Sequence, residues 1–328
     1  MIIMNLRSTS RISVGLWLHL WLASFSIAFL PKKSYRRYSL GTNPCSTTWC
    51  EEFIQNKAHL ANVTIVIPAY NEEKRIGTTL QSYSCYLNAR LGGSSKIVVV
   101  DDGSTDGTVD LVCDSFSEVK VISLTSNQGK GGAVAIGIQY VCDFHSSCNA
   151  ILVADADGSA NIQNIDIMLE ALVSVLKIEA TNAGKSSIDW LTPAVVVGKR
   201  QSVSSSPARL LLRWGFRTTV SLLVGKLNVS DTQCGFKIFT PSAAKTLYNE
   251  LNLKGWTHDV EVLYRANKLF QYPVREVPIQ WEDKDGSKLV KSTGGVVGIS
   301  FIMLCQVFWL RVAYKMRWWT VASLQDEE

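Results

Sequence analysis

Short apolar, β-branched runs recur along the chain, separated by longer stretches with helical spacing. Residues 63–70 (VTIVIPAY), 96–104 (KIVVVDDGS), 119–124 (VKVISL), 150–157 (AILVADAD) and 194–200 (AVVVGKR) read as strands, because apolar runs bounded by turn formers fit strands covered on both faces. Between them, residues 72–87, 108–116, 132–142 and 161–176 have helix-compatible spacing. Strand and helix in this alternation predict an α/β fold built on a doubly wound, mostly parallel sheet. Such sheets bind ligands beyond the C-terminal ends of their strands. The residues that close each apolar run are therefore the first candidates for chemistry.

Three segments stand outside that alternation. Residues 12–30, ISVGLWLHLWLASFSIAFL, are apolar over the length of a membrane-spanning helix, with His19 as the titratable interruption. A cleaved signal peptide would have a shorter apolar core and a small-residue cleavage site. This run instead meets Pro31-Lys32-Lys33 and Arg36-Arg37, which favours an uncleaved anchor. Those basic residues outweigh Arg7 and Arg11 on the other side, so the body of the protein is expected in the cytosol. Residues 207–227 and 295–319 mix Arg209, Arg213, Arg217 and Lys226, then Arg311, Lys315 and Arg317, with Leu, Trp and Phe. Both suit amphipathic helices in a membrane interface. Ordinary helix packing fits the first equally well, and a second membrane pass is left open at 295–310. The expected organisation is an anchor (1–31), a polar linker (32–61), a globular domain (62–290) and a C-terminal membrane-associated helix and tail (291–328).

Composition refines this only modestly. At 328 residues, 47% hydrophobic and 19% charged, the chain can bury a full core. A net charge of +5 is too weak to argue for nucleic acid, and basic residues beside apolar stretches suit an anionic membrane surface. The eight cysteines are scattered without a paired CxxC arrangement, so reduced thiols are expected rather than disulfides or zinc. The sequons at Asn62 and Asn228 would be unreachable from the cytosol.

Four motifs fall at or just after the predicted strand ends. The first is Pro68-Ala69-Tyr70-Asn71-Glu72-Glu73, where Asn71 or Glu72 can face a ligand. The second is DDGSTDGT from Asp101, whose carboxylates can accept hydrogen bonds from ribose or base. It misses the calcium-loop pattern at Ser104 and Cys113. The third, NQGKGG, is a turn whose backbone and Lys130 can approach a phosphate. It is neither a P-loop nor a dinucleotide fingerprint, because Gly131 follows Lys130 and Val134 replaces the last glycine. In the fourth, Asp155 and Asp157 close an apolar run one residue apart. Two such acids repel unless a cation or a hydrogen-bond network lies between them.

In this order the motifs resemble glycosyltransferase family two, with its GT-A fold, over residues 63–289. DTQCGFKIF (231–239), WTHDVEVLY (256–264) and DGSKL (285–289) are similar to the branch that moves glucose from UDP-glucose to dolichyl phosphate at the cytosolic face of the endoplasmic reticulum, for lipid-linked oligosaccharide assembly and protein N-glycosylation. Sister enzymes that use GDP-mannose look less like DTQCGFK and HDVE, and mannose transfer is the alternative. The resemblance implies that Pro68, Tyr70, Glu72 and Asp102 line the uridine pocket, and that Lys130 lies near the nucleotide. It implies that Asp155 and Asp157 hold Mg²⁺ or Mn²⁺ against the UDP pyrophosphate. A divalent ion there would also relieve the repulsion between the two acids.

The acceptor side follows similar logic. A lipid phosphate is already an anionic nucleophile near neutral pH, so the task is in-line positioning with inversion rather than strong base catalysis. On resemblance and charge, Arg200 and Ser287 with Lys288 are expected to contact the phosphate, an ordinary surface ion pair being the alternative for Arg200. Asp259 and Glu261 are expected either to face the sugar or to support a neighbouring loop. Gln233 and Cys234 are expected to shape the sugar pocket, with plain core as the alternative for Cys234. Ser159 stands where mannose-transferring relatives often carry a stronger metal-supporting residue, which leaves Mg²⁺ against Mn²⁺ open. The expected partners are UDP-glucose, dolichyl phosphate and membrane lipids, with a homo-oligomer left open.

Two other readings fit less well. A processive polysaccharide synthase would carry QxxRW, whereas Leu210 stands where Arg213-Trp214 would need the Gln. A non-catalytic nucleotide-sugar binder would not need Asp155 and Asp157 intact.

Overall fold

The computed structural model describes residues 62–91, 95–202, 207–225, 227–282, 284 and 295–321. The anchor at 12–30, the linker and the DGSKL segment with Ser287 and Lys288 lie outside the described residues.

The expected alternation is present. Strand β1 (Val63–Ala69) leads into α1 (Glu73–Leu91), β2 (Lys96–Asp101) into α2 (Thr108–Ser115), β3 (Lys120–Ser123) into α3 (Lys130–Phe144), and β4 (Ala150–Val153) into α4 (Asn164–Asn182). Then follow β5 (Val195–Ser202), α5 (Pro207–Val224), β6 (Lys237–Phe239), α6 (Pro241–Tyr248), α7 (His258–Tyr264), β7 (Val274–Trp281) and α8 (Gly295–Lys315). All seven strands form one sheet in the order β3-β2-β1-β4-β6-β5-β7. β3, β2, β1 and β4 pair in parallel, as do β5 and β7, and β6 runs antiparallel to both β4 and β5. The sheet is therefore mostly parallel, with one reversed strand at its centre.

The central strands are apolar throughout because helices cover both faces. Ile65, Val66, Ile67, Val98, Val100, Ile151, Leu152, Val195 and Val196 are all fully buried. β7 differs, because it lies at an edge. Its VREVPIQW sequence alternates, burying Val277, Ile279 and Trp281, and Pro278 is tolerated where no further strand needs its missing N–H.

The structure corrects the sequence reading at the fourth strand, which stops at Val153, so Asp155 and Asp157 lie in the loop beyond it rather than within it. Among the described residues no helix is long and apolar enough to cross a membrane. Among the described residues Cys85, Cys113, Cys142, Cys148, Cys234 and Cys305 are thiols outside any disulfide.

Candidate active site

The ends of β1, β2 and β4 and the start of α3 converge on one edge of the sheet. At the end of β1, Tyr70 is exposed and Asn71 adopts a left-handed conformation with φ of 53°. The Asn71 amide donates to Ser104 Oγ at 2.8 Å, and its side-chain oxygen accepts from the Thr105 amide at 2.7 Å, so the first two motifs are stitched together. Glu72 is buried, and its carboxylate takes the Arg75 guanidinium through two contacts of 2.7 and 2.8 Å. Asp102 is buried too. Its Oδ1 accepts the Gln128 amide at 2.6 Å, and burial pushes its carboxyl up to about 6 against the pull of the Gln128 and Gly129 amides.

The NQGKGG turn does a different job from the phosphate cradle expected of it. The Gly131 and Gly132 amides both donate to the Lys254 carbonyl, at 2.7 and 3.1 Å, so they are spent within the protein. A Cβ on Gly129 would stand 2.6 Å from that same carbonyl, and one on Gly131 would stand 2.4 Å from His258 Cβ. These glycines admit the 254–258 segment against the start of α3. What remains for an anion is the Lys130 side chain. Its Nζ lies 2.5 Å from Asp155 Oδ1 and 5.6 Å from the centre of the exposed Trp256 ring. Burial alone would lower the Lys130 pKa, but Asp155 and Asp259 outweigh it and raise it, keeping the ammonium charged.

Asp155 and Asp157 are each about a quarter exposed as side chains, and each has a cation of the chain beside it. Asp155 has Lys130, and Asp157 has Arg75 Nη1 at 3.7 Å. Arg75 thus reaches from Glu72 at the end of β1 to Asp157 at the end of β4. Asp157 Oδ1 also accepts the Ser159 amide at 2.9 Å, so Ser159 serves this carboxylate through its backbone. Burial, and then the Asp155 charge, raise the Asp157 carboxyl. A cleft of about 990 Å³ opens beside Asp157, lined by Arg75, Thr79, Tyr83, Asn161 and Trp281 among others. Among the described residues no three His, Cys, Asp or Glu side chains converge as a closed metal cage. Two carboxylates with room beside them suit a hard divalent ion that takes its other oxygens from a phosphate ligand.

Gly235, in the DTQCGFK segment, backs this pair. A Cβ there would lie 2.2 Å from Asp155 Oδ2. Gly235→Ala is therefore expected to displace Asp155 and lower turnover about tenfold or more, an order taken from the loss of one positioned group. Steady-state kinetics beside a thermal melt that moves little would check this.

Behind the acids lies a buried polar layer that sequence reading placed only in part. Lys237 is fully buried on β6, donates to the Cys234 carbonyl and meets Asp259 Oδ1 at 2.7 Å. Burial would raise the Asp259 carboxyl, but His258, Lys237 and Lys130 together hold it down to about 2. His258 Nδ1 donates to the Gly255 carbonyl at 2.9 Å and its Nε2 lies 3.4 Å from Asp259 Oδ1, with burial lowering the His258 pKa against the pull of Asp259. Asp259 thus supports Lys237, while Glu261 turns away into a separate network with Arg265. Lys237 carried no signal of its own, since a charged residue in a three-residue strand reads as exposed. Arg200, at the end of β5, is neither free nor on the surface. Its side chain is 15% exposed, forks onto both oxygens of Asp231 at 2.7 Å and lies 5.3 Å above Trp281. Burial would raise the Asp231 carboxyl, but Arg200 overrides it and keeps it low. Cys234 is fully buried, as core would be.

The model of the Glycosyl transferase family 2 matches residues 64–183. The dolichyl-phosphate beta-glucosyltransferase of Saccharomyces cerevisiae is 30% identical over 268 residues, 77% of this chain and 76% of that one. The Homo sapiens protein of the same name is 34% identical over 244 residues, 70% and 69% of the two chains. Among solved structures, glucosyl-3-phosphoglycerate synthase from Mycobacterium tuberculosis, in complex with Mn²⁺, UDP and glucosyl-3-phosphoglycerate, superposes with a TM-score of 0.52 at 16% identity, covering 82% of this chain and 87% of that one. That likeness carries the fold alone, whereas the sequence matches span most of both chains, and on them this chain belongs to the dolichyl-phosphate beta-glucosyltransferases of glycosyltransferase family 2.

Proposed function

We propose that the protein transfers glucose from UDP-glucose to dolichyl phosphate with inversion, giving dolichyl β-D-glucosyl phosphate and UDP. An oxygen of the lipid phosphate attacks the anomeric carbon as the bond to the UDP oxygen breaks, and the electron pair leaves with UDP. Family membership supports the sugar and the acceptor. The observation that carries the site is the Asp155 and Asp157 pair at the C-terminal edge of the sheet, each beside a cation and next to an open cleft.

In this reading Asp155 and Asp157 hold Mg²⁺ or Mn²⁺, which when bound neutralises charge on the departing diphosphate. Lys130 offers a positive charge to the same diphosphate. Pro68 and Tyr70 flank the uridine, while Asp102 fixes the turn before Lys130 through the Gln128 amide. Glu72 acts through Arg75, which it orients toward Asp157. Arg200 meets the acceptor phosphate with the part of its guanidinium not engaged by Asp231, and Lys288 joins it. Asp259 acts behind the site, by pairing with Lys237 and holding its side chain in place under the sugar pocket. The acceptor is a lipid, and the packed pair α5 and α8, with the turn that follows α8, exposes Leu222, Phe301, Ile302, Phe308 and Trp318 along with Arg217, Arg311 and Lys315. That face supports contact with the cytosolic leaflet of the endoplasmic reticulum membrane, with residues 12–30 as the anchor.

The test is transfer of labelled sugar to dolichyl phosphate in detergent, from UDP-glucose or GDP-mannose, with and without EDTA. The expected result is glucose transfer that EDTA abolishes and added Mg²⁺ or Mn²⁺ restores. Mannose transfer would overturn the choice of donor, and glucose transfer that persists in EDTA would overturn the metal assignment.

A further inference from the structure

The ion pair between Lys130 and Asp155 carries a consequence for how the site fills. It rests on the reading of Asp155 and Asp157 as metal ligands. Asp155 is closely backed on one side by Gly235, where a Cβ would lie 2.2 Å from Asp155 Oδ2. Lys130 is anchored at its Cα by the start of α3, but its ammonium sits at the end of a flexible four-carbon stem between Asp155 Oδ1 at 2.5 Å and the Trp256 ring at 5.6 Å. Of the two partners, the lysine is the one that can move. A divalent ion arriving at Asp155 therefore meets a carboxylate whose charge is already balanced.

Charge counting sets the direction of the effect. A divalent cation alone adds its full charge to a site where Lys130 and Arg75 already face the two acids. A diphosphate alone, doubly negative in UDP-glucose and carrying up to one further charge in UDP, adds the opposite excess beside Asp155, Asp157 and Glu72. Metal and diphosphate together leave the local charge close to where it began, and the diphosphate gives the displaced ammonium a new anion to contact. Uncompensated charge in a partly desolvated site is costly, so each ligand is expected to bind more tightly in the presence of the other.

We propose that Lys130 is the resident counter-cation of Asp155, which a divalent metal must displace, and that this makes metal and nucleotide diphosphate bind synergistically. Removing the lysine charge then has opposite effects on the two halves of the process. Metal alone binds better, because its competitor is gone. The nucleotide no longer improves metal binding to the same extent, because no ammonium needs a new partner.

The experiment is calorimetric titration of Mn²⁺ into the purified full-length chain in detergent, with and without UDP, for the wild type, Lys130→Met and Lys130→Arg. For the wild type, UDP is expected to tighten Mn²⁺ binding by about tenfold or more, and Lys130→Met to bind Mn²⁺ alone about tenfold more tightly than the wild type, with most of the UDP enhancement lost. Lys130→Arg should keep the wild-type pattern. Equal Mn²⁺ affinity with and without UDP in the wild type would overturn the proposal, and that arm needs no variant to fold. Lys130→Met that binds Mn²⁺ no more tightly than the wild type would overturn it as well. Asp155→Asn separates the two levels of the argument, because unchanged binding of Mn²⁺ with UDP in that variant would instead remove the metal reading on which the proposal stands.

Discussion

Asp157→Ala is expected to lower glucose transfer by about a thousandfold, some ~4 kcal/mol of transition-state stabilisation, while leaving the fold intact. The activity loss follows from the role proposed for the two acids, since one carboxylate cannot hold a divalent ion against the diphosphate as two can. The small stability effect follows from the balance of forces on Asp157. Its carboxylate is pushed toward the neutral form by burial and by Asp155, so removing it relieves a repulsion. Against that, the Ser159 amide loses an acceptor at 2.9 Å and Arg75 loses a contact at 3.7 Å. A part-buried hydrogen bond to a carboxylate is worth about 1.5 kcal/mol or somewhat more, and a long ion pair about 1 kcal/mol or less. Arg75 also keeps its two contacts to Glu72. The gain and the losses nearly cancel. The check is transfer kinetics beside a denaturant melt, and wild-type turnover in this variant would remove Asp157 from the metal site.

Groups that are strained or repulsive at rest, and cheap to remove from the fold, are typical of functional sites. That is why the acids were visible from the sequence. Nothing in a buried parallel strand asks for two carboxylates at its end, so their presence after AILVA pointed outward, to a ligand. The same logic made the alternation of β1 to β5 with its helices legible, because strands covered on both faces must be continuously apolar. It did not reach Lys237, whose partner Asp259 lies 22 residues away, on a helix that packs behind β6. Burial of a lysine is a property of the pair and leaves no local pattern. The glycines of NQGKGG misled for a related reason. A glycine-rich turn before a helix offers free amides by default, and only the tertiary approach of Lys254 and His258 shows that another segment of the chain uses them.

The HDVE segment shows the limit most clearly, and it sets the last expectation. Asp259 and Glu261 are two residues apart, and on a helix such residues point in nearly opposite directions, so they cannot share one partner. Asp259 turns to Lys237 beneath the site, and Glu261 turns to Arg265, which is itself fully buried. Every donor of the Arg265 guanidinium is placed. Nε donates to Tyr314 Oη at 2.8 Å, Nη1 to the Leu247 and Asn249 carbonyls at 3.2 and 2.5 Å, and Nη2 to the Glu250 carbonyl at 3.0 Å and Glu261 Oε1 at 2.8 Å. One side chain thereby closes the C-terminal end of α6, neutralises α7 and ties down α8 through Tyr314. Arg265→Met would fill similar space but strand Glu261 without its counter-charge and leave three carbonyls unbonded. The expected loss is about 3–5 kcal/mol of unfolding free energy, the range for breaking a buried ion pair from one side. Denaturant unfolding would measure it. Adding Glu261→Gln to Arg265→Met should recover part of the loss, because a neutral amide buried there costs less than an uncompensated carboxylate. A double variant no more stable than Arg265→Met would mean that the arginine acts through the helix-end carbonyls and Tyr314 alone.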